Sequence, residues 1–210
     1  MVRTFKVGTL SMVLLLPRTS FSQGKDLLAP FMTFRGVTLN ATRLDGVAKK
    51  LGPAEIKFNE MDAAGSTDAM CYVGADGTFL GLASDDEMAW PYVDEIVLSH
   101  TVEPLGWDEH MGTRREWLAE AKAPRCSHVA WLSATTELGG IHLGSSEERV
   151  RQRLGPPDEQ KGSSVLIYST TVRHKQGAPE SEKFFRSRFL EITLEAGEVT
   201  CLKVIEGTAE

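Results

Sequence analysis

The chain has 210 residues, 23 of them basic and 29 acidic, a formal net charge of −6, and three cysteines. Nucleic acid and anionic lipid would both repel such a surface, so neither is expected as a partner. The length allows one sizeable domain or two small ones.

Residues 1–22 have the layout of a secretory leader. Arg3 and Lys6 form a basic start, residues 7–16 (VGTLSMVLLL) are apolar, and Pro17 breaks the run. Ser20-Phe21-Ser22 then sets small residues where a signal peptidase reads them, which places the cut after Ser22. The apolar run is shorter than the ~20 residues needed to cross a bilayer, so no membrane span is expected. Cleavage removes Arg3, Lys6 and Arg18 and no acid, which takes the charge from −6 to −9. The expected location is periplasmic or secreted.

A phrase then occurs twice. Gly36 opens GVTLNATRLDGVAKKLGP and Gly140 opens GIHLGSSEERVRQRLGP. In the first, Leu44, Val47, Ala48 and Leu51 hold the i, i+3, i+4, i+7 places of one helical face, and in the second Val150 and Leu154 hold the last two. Thr42-x-x-Asp45 and Ser145-x-x-Glu148 read as capping boxes. Gly52-Pro53 and Gly155-Pro156 read as helix stops, because Gly accepts a left-handed backbone and Pro cannot continue a helix. Three strands follow each helix: MCYV, TFLGLAS and VDEIVLS after the first, VLIYSTTV, RFLEITLEA and EVTCLKVI after the second. Ala196-Gly197 is the expected tight turn between the last two. The alternation Leu190, Ile192, Leu194 against Glu191, Thr193, Glu195 predicts a sheet with one packed and one wet face.

The expected fold class is therefore α+β: two tandem repeats, each a short helix packed on a three-stranded antiparallel meander. The expected organisation is a leader over 1–22, a first α/β repeat over 23–100, a linker over 101–136 and a second α/β repeat over 137–207. The linker carries a helix candidate, Thr113-x-x-Glu116 leading into Trp117, Leu118 and Ala121, and then SHVAW (127–131) as an edge strand leading into the second repeat.

Helix, Leu-Gly-Pro, a Tyr-bearing strand and a meander together resemble the units of the β-lactamase-inhibitor-protein-like fold. They are also similar to the small outer-membrane assembly lipoproteins of the SmpA/OmlA type. The likeness spans residues 36–99 and 140–206. The whole layout is most similar to uncharacterised bacterial secreted proteins with a CY strand, a GT-L strand with an acidic-Met-aromatic loop, and a second copy ending in LGPP. The chain departs from both named groups. No cysteine follows the leader where the assembly lipoproteins carry a lipid-bearing one, and each repeat holds one cysteine where the inhibitors are stapled within each copy. The resemblance implies a binding or assembly role and transfers no site residue.

In an oxidising compartment three cysteines suggest one disulfide and one thiol. The expected pair is Cys71–Cys126, with Cys201 packing as a small apolar side chain in the strand TCLKVI. None of the five histidines has zinc spacing; His100 beside Asp108, Glu109 and His110 is the best metal candidate and reads as a wet loop. Asp85, Asp86 and Glu87 lack the spacing of a calcium loop. No nucleophile elbow or C-x-x-C occurs, so no catalytic residue, metal or cofactor is assigned and an enzyme is not expected. Trp90 and Tyr92, in the loop SDDEMAWPY, form the candidate interaction surface, since exposed Trp and Tyr anchor protein interfaces. Trp107 and Trp131 flank the linker. The expected function is that of an exported non-catalytic binding protein acting through contact with another envelope or extracellular protein. The alternative is a small-ligand or metal-binding periplasmic protein, or an enzyme, with a site between the repeats.

Overall fold

The structure is a computed structural model that describes residues 26–61, 65–85, 91–103, 125–172 and 185–209. A single 3-10 turn (Ala29–Phe31) leads into a small hairpin of β1 (Thr33–Phe34) and β2 (Val37–Thr38), followed by α1 (Leu44–Leu51). Then come β3 (Lys57–Met61), β4 (Gly65–Val73), β5 (Phe79–Asp85), β6 (Glu95–Ser99) and β7 (Ser127–His128). The second half holds α2 (Glu147–Leu154), β8 (Glu159–Lys161), β9 (Val165–Val172), β10 (Phe185–Glu195) and β11 (Glu198–Ala209).

The two expected repeats, each with its own helix-covered three-stranded meander, are not what these residues build. One mixed sheet runs in the order β3-β4-β5-β6-β11-β10-β9-β8, and β7 adds to β4 in parallel. Two differences separate expectation from structure. Each half supplies a fourth strand, KFNEM and EQK, whose polar sequences show no apolar alternation. And the last strands of the two halves, β6 and β11, pair with each other instead of remaining edges. A free strand edge leaves a row of backbone groups unpaired, so joining the halves removes two edges at once.

Register shows what the joint buries. Tyr72, Leu80, Leu98, Leu202, Ile192 and Leu166 stand opposite one another across six strands, as do Met70, Leu82, Ile96, Val204, Leu190 and Tyr168. Every one of these side chains is buried. Each Leu or Ile so removed from water contributes about 1.5–3 kcal/mol. Both helices lie on this face, with Leu44, Val47 and Leu51 of α1 and Val150 and Leu154 of α2 in the same core.

The opposite face differs between halves. On β4–β6 it holds a second buried cluster of Ala69, Cys71, Phe79, Ala83 and Val97, with Cys126 and Cys201 packed against it. On β10 and β11 the corresponding residues Glu191, Thr193, Lys203 and Ile205 are only half-buried. Lys203 reaches across the joint to the buried carboxylate of Glu95 (3.5 Å).

Helix ends follow the sequence in part. The stops are as expected: Gly52 (φ 104°) and Gly155 (φ 82°) take a backbone that L side chains rarely adopt. Each stop is also tied to the sheet, because Tyr72 donates its hydroxyl to the Gly52 carbonyl (2.7 Å) and Tyr168 donates to the Gly155 carbonyl (3.2 Å). Burial pushes both phenols above their ordinary pKa, which keeps them as donors. The starts are shifted by one residue. Ser146, not Ser145, caps α2 by accepting from the Arg149 N–H, and α1 begins after Arg43 with no side-chain cap. Thr42 and Ser145 serve the preceding turn, accepting from the N–H groups of Thr38 and His142. A hydroxyl that has a buried turn N–H within reach satisfies that donor first.

The leader, the linker helix candidate, Trp107, Asp108 to His110, and Trp90 lie outside the described residues. The segment SHVAW was expected to lead into the second half; it supplies β7 to the first half instead.

Candidate functional site

The Cys71–Cys126 disulfide joins β4 to the residue before β7. From there the chain is fastened along β4 and its turn. Ser127 and His128 pair with Tyr72 and Val73, and the Val129 N–H donates to the Val73 carbonyl (3.0 Å). At the β4–β5 turn, the Leu132 carbonyl lies 2.2 Å from where a Cβ on Gly74 would stand, so only glycine fits. Asp76 completes the attachment: its carboxylate accepts from the N–H groups of Ala134 (2.8 Å) and Thr78 (3.0 Å). These bonds, the one from Ala134 foremost, hold its pKa below the ordinary carboxylate value. Cys201 remains a thiol on the same face; burial pushes its pKa up to about 12, so it packs and does not react.

This attachment presents Trp131. Its indole N–H donates to the Leu51 carbonyl at the end of α1 (3.2 Å), and its ring packs on Tyr72 (5.7 Å) and Phe34 (6.2 Å). The outer face of the ring carries the Arg35 guanidinium, 4.7 Å from the ring centre, with Nη2 donating to the Trp131 carbonyl (3.3 Å). Arg35 itself is exposed. Beside this pair lies an open groove of about 470 Å³, rimmed by Thr33, Ser133, Thr135, Thr136 and Glu137.

Arg35 is held in an uncommon backbone. It is the first residue of the two-residue turn between β1 and β2, with φ 45° at Arg35 and 81° at Gly36. Such turns need positive φ at both positions and favour Asn, Asp or Gly at the first. The other half contains the same turn. Leu138 and Ile141 bond each other through both N–H groups, and the residues between them are Gly139 (φ 61°) and Gly140 (φ 81°). Arg35 therefore stands where its counterpart is glycine. A left-handed conformation costs an L residue about 1–2 kcal/mol, and the exposed cation–π contact returns only about 0.5–1 kcal/mol. Strain kept at an exposed, charged, aromatic-backed residue marks a functional candidate.

The sequence did not single out Arg35. The doubled phrase begins at Gly36 and Gly140, and the informative difference stands one residue earlier, Arg against Gly. In sequence Trp131 only flanks the linker, and its approach to Arg35 spans 96 positions. Of the expected interaction pair, Tyr92 is half-buried beside the start of α1, where it forms a β-bridge with Arg43, and it does not line the groove. Among the described residues no group of three His, Cys, Asp or Glu could hold a metal, and no helix is long and apolar enough to cross a membrane.

Among solved structures, the chain is similar to a crystal structure from Streptococcus mutans described as a "putative beta-lactamase inhibitor protein". It is 12% identical, with 80% of this chain and 83% of that chain covered and a TM-score of 0.25. That name falls in one of the two groups the sequence resembles, but at this identity and score the likeness carries no argument. No protein-family model matches the chain, and no curated protein does.

Proposed function

We propose that the chain is an exported binding protein that acts by contact with another envelope or extracellular protein, through the face built on Arg35 and Trp131. The observation that carries this reading is the strained, exposed Arg35 seated on a fixed indole, where the equivalent turn uses glycine. Arg and Trp are the residue types that most often anchor protein interfaces. The disulfide between Cys71 and Cys126 fits an oxidising compartment. Tyr92, beside the start of α1, and Trp90, two residues before it in sequence, remain a second candidate contact.

The test is capture from envelope extract by the intact protein and by Arg35→Gly. Glycine suits this turn, so the variant keeps the fold. A partner retained by the parent and lost by the variant supports the proposal; equal retention removes Arg35 from the interface. The second reading is a small-ligand carrier that uses the same groove, which has room for a small molecule. A thermal shift with metabolites or divalent ions, and none with protein partners, would favour it.

A further inference from the structure

Resting on that reading, we infer that Arg35 on its Trp131 base is a carboxylate-binding subsite that receives an acidic residue from an extended segment of the partner protein. Three features of the groove point to this ligand class.

The first is charge. Among the described residues Arg35 is the cation on the groove rim, and the one carboxylate there, Glu137, faces Arg149 at 3.7 Å. The second is geometry. One guanidinium N–H is used on the Trp131 carbonyl, and among the described residues the remaining N–H groups have no acceptor. That single bond and the ring beneath seat the guanidinium and leave its remaining N–H groups open. A planar fork with free donors matches a carboxylate through two parallel hydrogen bonds, which a lysine in its place would not do. The third is the surroundings. Thr33 and Thr38 hydroxyls lie 3.1 Å apart, Ser133 and Thr135 hydroxyls lie 3.0 Å apart, and Thr136 caps the Ser133 N–H. Such hydroxyls can turn to donate or accept along a passing backbone. An open groove admits a chain running through it, whereas a free small anion would be left largely in water.

The test is titration of the nitrogen-15-labelled full chain with a tetraglutamate peptide, followed at the Arg35 Nε–H and Trp131 Nε1–H signals. The peptides are N-acetylated and C-amidated so that tetraglutamine carries no carboxylate; tetraglutamine and glutarate are the comparison ligands, and Arg35→Gly and Arg35→Lys the variants. The account expects saturable shifts at both signals with tetraglutamate. Binding should be at least about tenfold weaker for tetraglutamine and for Arg35→Gly, and intermediate for Arg35→Lys, since losing a charged, bidentate contact is worth at least one decade; glutarate keeps that contact but has no backbone for the groove hydroxyls, and should also bind more weakly than the peptide. Absence of saturable shifts, equal binding of tetraglutamine, or unchanged binding by Arg35→Gly overturns the inference. Glutarate binding as tightly as the peptide overturns the choice of an extended chain in favour of small carboxylates. If the peptide fails while capture of a partner still depends on Arg35, only the ligand class falls; if capture fails as well, so does the proposed function.

Discussion

The two halves of the sheet share a plan and differ in what covers their second face. In both, a short helix ends at Leu-Gly-Pro, a tyrosine from a following strand holds the terminal glycine carbonyl, and apolar rows fill the helix side. In the first half the other side is also buried, around Phe79, Val97 and the Cys71–Cys126 disulfide. In the second half the other side is half-exposed, with Glu191, Thr193 and Lys203. The difference teaches where to look for function. The half with two covered faces is also the half that carries the fastened loop, Trp131 and the strained Arg35.

The largest effects should come from the face that differs. Phe79 and Thr193 lie in one register row, linked through Ser99 and Cys201. Phe79→Ala should cost about 3–5 kcal/mol, and Thr193→Ala less than about 1 kcal/mol, by urea denaturation. Equal losses would show that the halves do not differ in this way.

Next in size is the pair of turns. Gly139→Ala places a Cβ 2.5 Å from the Phe31 ring at φ 61°, and should cost about 2 kcal/mol or more. Arg35→Gly removes backbone strain and a cation–π contact together and should change stability by no more than about 0.5 kcal/mol. A large loss in Arg35→Gly would make Arg35 a structural residue and sharpen the comparison in the other direction.

Smaller still are the tyrosine hydroxyls. Tyr72→Phe and Tyr168→Phe should each cost about 1 kcal/mol, in parallel in the two halves. A loss in one alone would show that the shared plan is not equally used.

The smallest effect concerns Asp76, in the β4–β5 turn of the first half. Its folded pKa is lowered, so its contribution is present above the ordinary carboxylate pKa and fades as pH falls through the folded value. Asp76→Asn should therefore lower the melting temperature at pH 7 and have little effect below the folded pKa; an equal shift at both would contradict the role given to the carboxylate.

Much of the fold was legible because local chemistry dictates it. The helix stops, the strand VLIYSTTV and the Ala196-Gly197 turn follow from glycine, proline and period-two patterns. The alternation Leu190, Ile192, Leu194 predicted one packed and one wet face, which holds in the second half; in the first half FLGLAS and EIVLS are covered on both faces. What sequence could not show was non-local. The pairing of β6 with β11 depends on two strands about a hundred residues apart, and the edge strands KFNEM and EQK are too polar to signal themselves. The site was hidden for a related reason. Arg35 looks like an ordinary exposed cation until its turn is compared with Gly139-Gly140 and Trp131 is found beneath it.

Site-specific photocrosslinking tests the central claim most directly. Benzoylphenylalanine is placed at exposed Thr135 on the groove rim, or at exposed Gln160 on the edge strand β8, in the intact chain under native envelope conditions. The account predicts a discrete protein adduct from position 135 that disappears in the Arg35→Gly background, and none from position 160. Adducts from position 160 alone, or an adduct from 135 that is indifferent to Arg35, would contradict it.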